Sequence, residues 1–288
     1  FNSLVIDEPY FTQKSYTGNR PAYLKKPAGH AVSSNPNTLQ WNAAGWQVAG
    51  KGIKLINGVY ANEKLNNKLP NTYFDGSHMV FSAINATLEN FSFLKDTLSA
   101  QINLQTNERG GLQVKKLKAY FKFTPDIMEF SNLDLQTNKS RLGNYYAMHF
   151  NSFGKDMGNF IEKVTLELHL KSSEVNSDDI AVFAPALKNW KKIFQISGDA
   201  KGTIQDFKAK NLLVSTGNSS FNGNLSMAGL PDLNSTFIDL KATELQTNHN
   251  DLSLIIPGIK NSKVAFHKLG KIKYTGTFTG FPKDFVAY

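Results

Sequence analysis

The stretch Val164-Thr165-Leu166-Glu167-Leu168-His169-Leu170-Lys171 alternates apolar and polar side chains without a break. Successive side chains of a β-strand point to opposite faces of a sheet, so this segment has one apolar and one polar face. The same alternation runs through Leu98–Gln105 and Ile272–Phe278. Because a strand buried on both faces would instead be apolar throughout, the pattern predicts antiparallel sheet with one apolar face.

Turn-forming clusters of Asn, Gly, Asp and Ser separate these segments at near-regular intervals, which predicts about eighteen strands in up-and-down order. The phrase Leu-Gln-Thr-Asn occurs at Leu104–Asn107, Leu135–Asn138 and Leu245–Asn248, each time expected to close a strand and open a turn. These recurrences indicate repeated hairpin units in an elongated sheet. Between Val114 and Leu117 the apolar phase slips by one residue, which predicts a β-bulge near Lys115–Lys116.

Helix is scarce in the pattern. Ser177–Ala184 carries an N-cap residue and two acidic residues in its first turn, which predicts a short helix ended by Pro185 and followed by a second short turn. Lys155–Lys163 is a weaker candidate, and the alternation of Leu252, Leu254 and Ile256 indicates a strand. The polar segment 16–50 contains three prolines and is predicted to be a long loop.

Composition limits the function. The chain has 288 residues, a net charge of +9 and no cysteine, which excludes disulfides and thiolate metal sites. Its lysines, such as Lys115, Lys118, Lys271 and Lys273, are scattered along alternating strands, which is typical of a solubilising outer face with protected edges. Anionic surfaces remain a second interpretation, whereas no dense basic run or aromatic-plus-basic motif indicates nucleic acid.

No catalytic or metal-binding signature appears, so we expect a protein that is not an enzyme and that has no cofactor or metal. The six histidines lack the spacing of metal ligands, and His169 falls on the polar side of its strand. Asp178-Asp179 is the one tight acidic pair near apolar residues. It could act as an acid–base pair, but helix capping explains it better.

The apolar side of a long sheet must be covered by something. A second sheet would give a β-sandwich, closure would give a barrel, and an incompletely curled sheet would leave a trough for a lipid-like ligand. For the trough, the residues expected to line the groove are the inward members of the alternating strands. They are Leu98, Ile102, Leu104, Val164, Leu166, Leu168, Ile272, Tyr274 and Phe278.

Several ordered phrases carry a family resemblance that runs from about residue 53 to the end. They are Ala83–Ala100, Leu133–Ser140, Leu170–Ser173 followed by Asp178–Phe183, Ile196–Ile204, and Gly276–Phe281 continuing to Asp284–Tyr288. Together they resemble the TamB-like translocation-and-assembly proteins of the AsmA superfamily, in the form found in Bacteroidetes-type bacteria. The family's N-terminal membrane anchor and its C-terminal domain have no counterpart among these residues.

The resemblance implies an all-β, elongated, antiparallel, curled open sheet, called a β-taco or trough, with one or two short helices. It implies a periplasmic bridge that shields phospholipid acyl chains between the inner and outer membranes. The alternative role is a scaffold for outer-membrane protein assembly with a BamA-like or TamA-like barrel. An extracellular β-sandwich lectin or adhesin is a third interpretation.

The expected organisation is a strand plus long polar loop over 1–52, then a repetitive trough over 53–288. The chain begins at Phe1, and Phe285–Tyr288 resembles an unfinished strand. We therefore expect an internal fragment whose sheet continues and whose inner-membrane anchor lies elsewhere. No apolar run inside the sequence approaches the roughly 18 residues of a membrane-spanning helix.

Overall fold

The computed structural model describes residues 1–15, 41–64, 73–232, 235–255, 268, 270–282 and 284–288, which form one sheet of fifteen strands. The strands are β1 (Ser3–Asp7), β2 (Tyr10–Ser15), β3 (Val48–Lys64), β4 (His78–Leu94), β5 (Thr97–Glu108), β6 (Gln113–Phe123), β7 (Ile127–Gln136), β8 (Arg141–His149), β9 (Thr165–Asn176), β10 (Ile193–Gly202), β11 (Asp206–Thr216), β12 (Ser219–Ala228), β13 (Phe237–Asn248), β14 (Lys271–Phe281) and β15 (Asp284–Ala287).

From β3 to β15 each strand pairs antiparallel with the next one along the chain. The sheet does not close on itself, so the prediction of a curled, open, all-β sheet is confirmed. β1 and β2 depart from the up-and-down order, because both pair parallel with β3, end to end along its outer edge. β3 begins at Val48, so it crosses the expected boundary after residue 52. Residues 16–40 of the expected loop lie outside the described residues.

A register shift interrupts every antiparallel pair from β3–β4 to β13–β14. On β6, Val114 and Leu117 face Thr106 and Leu104, so the extra residue lies at Lys115–Lys116 and the predicted bulge is confirmed. Bulges bend the bulged strand and increase the local twist. Eleven successive interruptions give the sheet a physical reason to curl.

Several of these bulges hold a non-glycine residue at positive φ: Asn132 in β7, Asn144 in β8, Ser172 in β9 and Asn211 in β11. At these bulges, side chains of the neighbouring strand accept hydrogen bonds from backbone amides. The amide of Ser172 donates to the Ser197 hydroxyl at 3.0 Å, and that of Asn211 donates to the Asn224 side chain at 3.1 Å. The bulges therefore keep their backbone donors satisfied.

Within the described residues, the helices are short and lie in the connections: α1 (Phe153–Asp156) and α2 (Phe160–Lys163) between β8 and β9, α3 (Ser177–Ile180) after β9, and α4 (His249–Ile255) after β13. The first three agree with the predicted helical segments, and single 3₁₀ turns follow α1 and α3. The strand predicted from the alternation of Leu252, Leu254 and Ile256 was wrong for its first two members. Leu252 and Leu254 lie in the helix α4, and Ile256 lies outside the described residues. Asn248 accepts a hydrogen bond from the Asp251 amide and turns the chain after β13.

The core is thin. The buried apolar residues of the described part are mostly alanines on the strands, together with Leu133, Phe150 and Val164. In a sandwich the large side chains of the apolar face would be buried against a second sheet. Here all described strands belong to a single sheet, so the β-sandwich alternative finds no second layer within them.

Candidate functional site

Cross-strand register places one unbroken apolar row across eleven neighbouring strands. Each member pairs with the next, so the row crosses the sheet from β5 to β15. Its members are Ala100, Phe121, Phe130, Tyr146, Leu168, Ala200, Ala209, Leu225, Leu240, Phe278 and Ala287. We call this the central row, and the side of the sheet that carries it the apolar face.

A second row lies two residues along each strand on the same face. Its members are Leu98, Phe123, Met128, Met148, Leu166, Gly202, Phe207, Met227, Ile238, Gly280 and Phe285. The opposite face is mostly polar or charged at the intervening positions, with Ala147 and, on β15, Val286 as its apolar members. There the paired residues are Ser99, Lys122, Glu129, Ala147, Glu167, Lys201, Lys208, Ser226, Asp239 and Thr279. We call that side the polar face.

The predicted groove residues fall on the apolar face, in several of its rows. Leu98 and Leu166 lie in the second row, Leu168 and Phe278 lie in the central row, and each is half-buried. Leu104, Ile102, Ile272 and Tyr274 lie on the same face nearer the other strand ends, also half-buried. Val164 differs, since it directly precedes β9 at the end of α2 and is fully buried.

Sequence reasoning did not name the aromatic residues at the middle of this face. The rings of Phe121 and Phe130 lie 5.1 Å apart, and those of Phe130 and Tyr146 lie 6.1 Å apart. Burial raises the pKa of the Tyr146 hydroxyl above its ordinary range, because a charged phenolate would lose hydration among these side chains. These strands show the same alternation of apolar and polar residues. Alternation does not say which residues of neighbouring strands pair, so it could not predict that these rings would lie side by side.

The two sets of strand ends differ in character. One set, which we call the apolar rim, comprises the connections 41–47, 95–96, 124–126, 150–164, 203–205 and 229–232 with the strand termini beside them. Large apolar side chains are exposed along it. They are Trp41, Trp46, Val48, Leu94, Met157, Ile161, Phe237 and Phe281. The rings of Trp41, Phe123 and Phe153 also cluster here, with Trp41 and Phe123 centred 4.4 Å apart.

The opposite set, the polar rim, comprises 73–77, 109–112, 137–140, 177–192, 217–218, 249–255 and residue 268. Buried carboxylates join its connections. Asp179 of α3 accepts hydrogen bonds from the Thr137 and Ser140 hydroxyls in the β7–β8 turn. Asp251 of α4 accepts from Ser219 at 2.6 Å and pairs with Lys192. The capping interpretation of Asp178–Asp179 agrees with Asn176, which caps α3 by accepting from the Asp178 amide.

Two histidines of the polar face belong to an ionic cluster across β8, β9 and β10, and His149 of β8 lies 2.8 Å from Glu167 of β9. His169 lies 2.7 Å from Asp199 and 3.1 Å from Glu167, and Lys201 lies 2.7 Å from Glu167. The hydrogen bond to Asp199 is the main cause that raises the pKa of His169. Hydrogen bonding, first of all from Lys201, lowers the pKa of Glu167 to about 2. The cluster makes the polar face pH-sensitive.

Removing the Asp199 charge is expected to lower the pKa of His169 toward its ordinary value of 6.5. The raised pKa means that stability from His169 is complete below pH 6.5 and is lost as the pH rises through the folded value. Stability from Glu167 is complete above its ordinary value of 4.5 and is lost as the pH falls toward 2. The cluster therefore stabilises the folded state most between pH 4.5 and pH 6.5.

An NMR titration of His169 in Asp199→Asn measures this change. Asp206→Asn is the control, because Asp206 is an exposed residue at the start of β11. An unchanged His169 pKa in Asp199→Asn would contradict the assignment of Asp199 as its main partner.

Shallow concavities also occur on the polar face. One of about 450 Å³ lies beside the β10–β12 bulges and is lined by Ser172, Ser197, Leu213 and Asn222 among others. Another of about 370 Å³ is lined by Asn85, Gln105, Asn107 and Gln113 among others. Both are open to solvent. Among the described residues, no group of three or more His, Cys, Asp or Glu is placed to hold a metal ion.

Compared with protein-family models, curated proteins and solved structures, the chain has no match. No helix in the described ranges has the length and apolar character needed to cross a bilayer. The apolar face and the two rims are therefore the features on which a function can be based.

Proposed function

We propose that this chain shields the acyl chains of a lipid on an uncovered β-sheet face. More particularly, we propose that it is a segment of a TamB-like protein of the AsmA superfamily. In that role it would form part of a periplasmic bridge that carries phospholipid between the inner and outer membranes. The full-length protein would supply the inner-membrane anchor and would meet a BamA-like or TamA-like barrel at the outer membrane.

The observation that carries this proposal is the central row. Eleven consecutive strands present an apolar residue at the same level, and the large side chains among them are only half-covered. Burying hydrocarbon stabilises by roughly 0.8 kcal/mol per CH₂, so an acyl chain on this face is strongly favoured over one in water. Hydrocarbon is the ligand class that matches two long rows of side chains without a charge.

The repetition of similar side chains along the central row would also let a bound lipid move from strand to strand. Neighbouring strands are about 4.8 Å apart, so a lipid that advances by one strand meets nearly the same side chains again. No member of the central row carries a charge that would hold a head group in one place. The binding free energy is then nearly level along the face, which permits passive sliding.

Extraction of the purified chain with organic solvent, followed by mass spectrometry, tests the proposal. We expect co-purifying phospholipid and uptake of a phospholipid with a fluorescent acyl chain. If neither is found, the lipid role is wrong.

A second candidate function rests on the edge formed by β1 and β2. Leu4, Val5, Tyr10 and Phe11 are exposed there, and the outer edge of these strands has no partner among the described strands. An apolar edge of this kind can add a strand from another protein. Photo-crosslinkers at Val5 and Tyr10 separate the two functions, because protein adducts favour an assembly scaffold and lipid adducts favour a conduit.

A further inference from the structure

We propose, on the basis of the proposed lipid role, that a bound phospholipid lies along the strands with a fixed polarity. Its anionic head group sits at the polar rim, and its acyl chains extend over the apolar face toward the apolar rim. The inference rests on three differences between the rims: exposed apolar surface, buried polar groups and charge.

Exposed apolar surface is concentrated at one rim. Eight large apolar side chains are exposed along the apolar rim, of which Trp46 is 66% exposed and Leu94 is 48% exposed. Along the part of the polar rim that the structure describes, the exposed ones are Tyr73, Phe183 and Ile193. The apolar rim is thus continuous with the apolar face, and hydrocarbon can pass over it while staying in contact with apolar atoms.

The face itself becomes more polar toward the other rim. Thr106 and Glu108 end β5 on the apolar face and are buried, and Thr216, Ser219 and Thr247 occupy the corresponding ends of β11, β12 and β13. One carboxylate oxygen of Glu108 and the Thr216 hydroxyl are buried without a hydrogen-bond partner. Polar atoms at this level favour the ester and head-group region of a lipid over its tails.

The charge of the connections also differs between the two rims. The described connections of the polar rim carry six Lys or Arg and four Asp, and two of those aspartates, Asp179 and Asp251, are buried in hydrogen bonds. The described connections of the apolar rim carry three Lys and five Asp or Glu, and one of these acidic residues, Asp156, is also buried in hydrogen bonds. A phosphate is therefore attracted to the polar rim and repelled at the apolar rim.

The dimensions agree with this orientation. The strands from β5 to β14 have 9 to 12 residues, which at roughly 3.3 Å per residue gives about 30–40 Å between the rims, and β3 and β4 have 17 residues each. One leaflet of a bilayer, head group included, is about 20 Å thick. An extended phospholipid therefore fits along the strands between the two rims.

Two photoactivatable phosphatidylglycerols test the polarity in the full chain, one with a diazirine at the end of an acyl chain and one with it on the head group. We expect peptide mapping to place tail adducts near Phe130, Leu168 and Leu225 of the central row, about one lipid length from the polar rim, and head adducts near Lys139 and Lys188. Reversed or identical adduct patterns would overturn the orientation while leaving the lipid role intact. Absence of any adduct would overturn the lipid role, and the orientation with it.

Charge reversal gives an independent readout. Lys188 and Lys268 are exposed at the polar rim, and we expect the double variant Lys188→Glu/Lys268→Glu to bind phosphatidylglycerol about tenfold more weakly or worse. Lys155→Glu/Lys163→Glu at the apolar rim changes the net charge equally and is expected to leave this affinity nearly unchanged. Equal losses in both variants would show a general charge effect and contradict the orientation.

Discussion

Replacement of Leu225 by arginine is expected to remove most of the bound lipid from the purified chain. Leu225 lies in the central row, half-buried between Ala209 of β11 and Leu240 of β13. An arginine on a hydrocarbon-facing strand position costs about 2–4 kcal/mol, which corresponds to at least roughly a thirtyfold loss of affinity. Phospholipid per chain after extraction, and titration with a fluorescent phospholipid, measure the effect.

The matched control is the next residue along the same strand. Ser226 is also half-buried, but its side chain lies on the polar face between Lys208 and Asp239. Ser226→Arg introduces the same charge into β12 and is expected to keep the bound lipid. Urea unfolding of both variants checks that the sheet stays folded. Equal lipid content in Leu225→Arg and Ser226→Arg would refute the assignment of the central row as the lipid surface.

Alternation alone predicted the sheet and its faces because strand side chains have a fixed period of two. That period places Leu98, Leu166 and Phe278 on one face whatever the neighbours are. It also locates the bulge at Lys115–Lys116. When the apolar alternation slips by one residue, one extra, unpaired residue returns the apolar side chains to the same face of the sheet. These features depend on local sequence, and they were correctly predicted.

The features that were missed depend on contacts between distant segments. The parallel pairing of β1 and β2 with β3 joins residues about fifty apart, and no local pattern sets its direction. The polar rim likewise depends on Asp179 and Asp251 reaching turns of other hairpins. α4 had a local signal in its Asn248 cap, but the apolar alternation of Leu252 and Leu254 indicated a strand.

The bulges and the apolar rows have a shared consequence. Each bulge shifts a strand by one residue, and the following residues must change phase to keep the apolar face on the same side. In β6 and β9 the apolar alternation changes phase at the bulge. The sheet can therefore curve at the bulges while the apolar rows stay unbroken. A substitution that removes a bulge is expected to damage both curvature and face.

Gly223 of β12 provides the sharpest test of that connection. Its φ of +157° is unfavourable for other residues, and a β-carbon there would overlap the backbone carbonyl oxygen of Lys241 in β13. Gly223→Ala must therefore disturb a buried backbone pairing between two central strands. We expect it to lower the free energy of unfolding by about 2–4 kcal/mol, measured by urea denaturation.

Gly143→Ala is the matched control for Gly223→Ala. Gly143 lies in β8, and a β-carbon there would meet the Leu133 carbonyl oxygen at an ordinary 3.6 Å. Its change in stability is expected to stay within about 1 kcal/mol. Hydrogen exchange should show that Gly223→Ala loses protection first in β12 and β13, on both sides of the bulge. If the two variants were equally stable, tight backbone approach at the bulges would not be what holds the curled sheet in register.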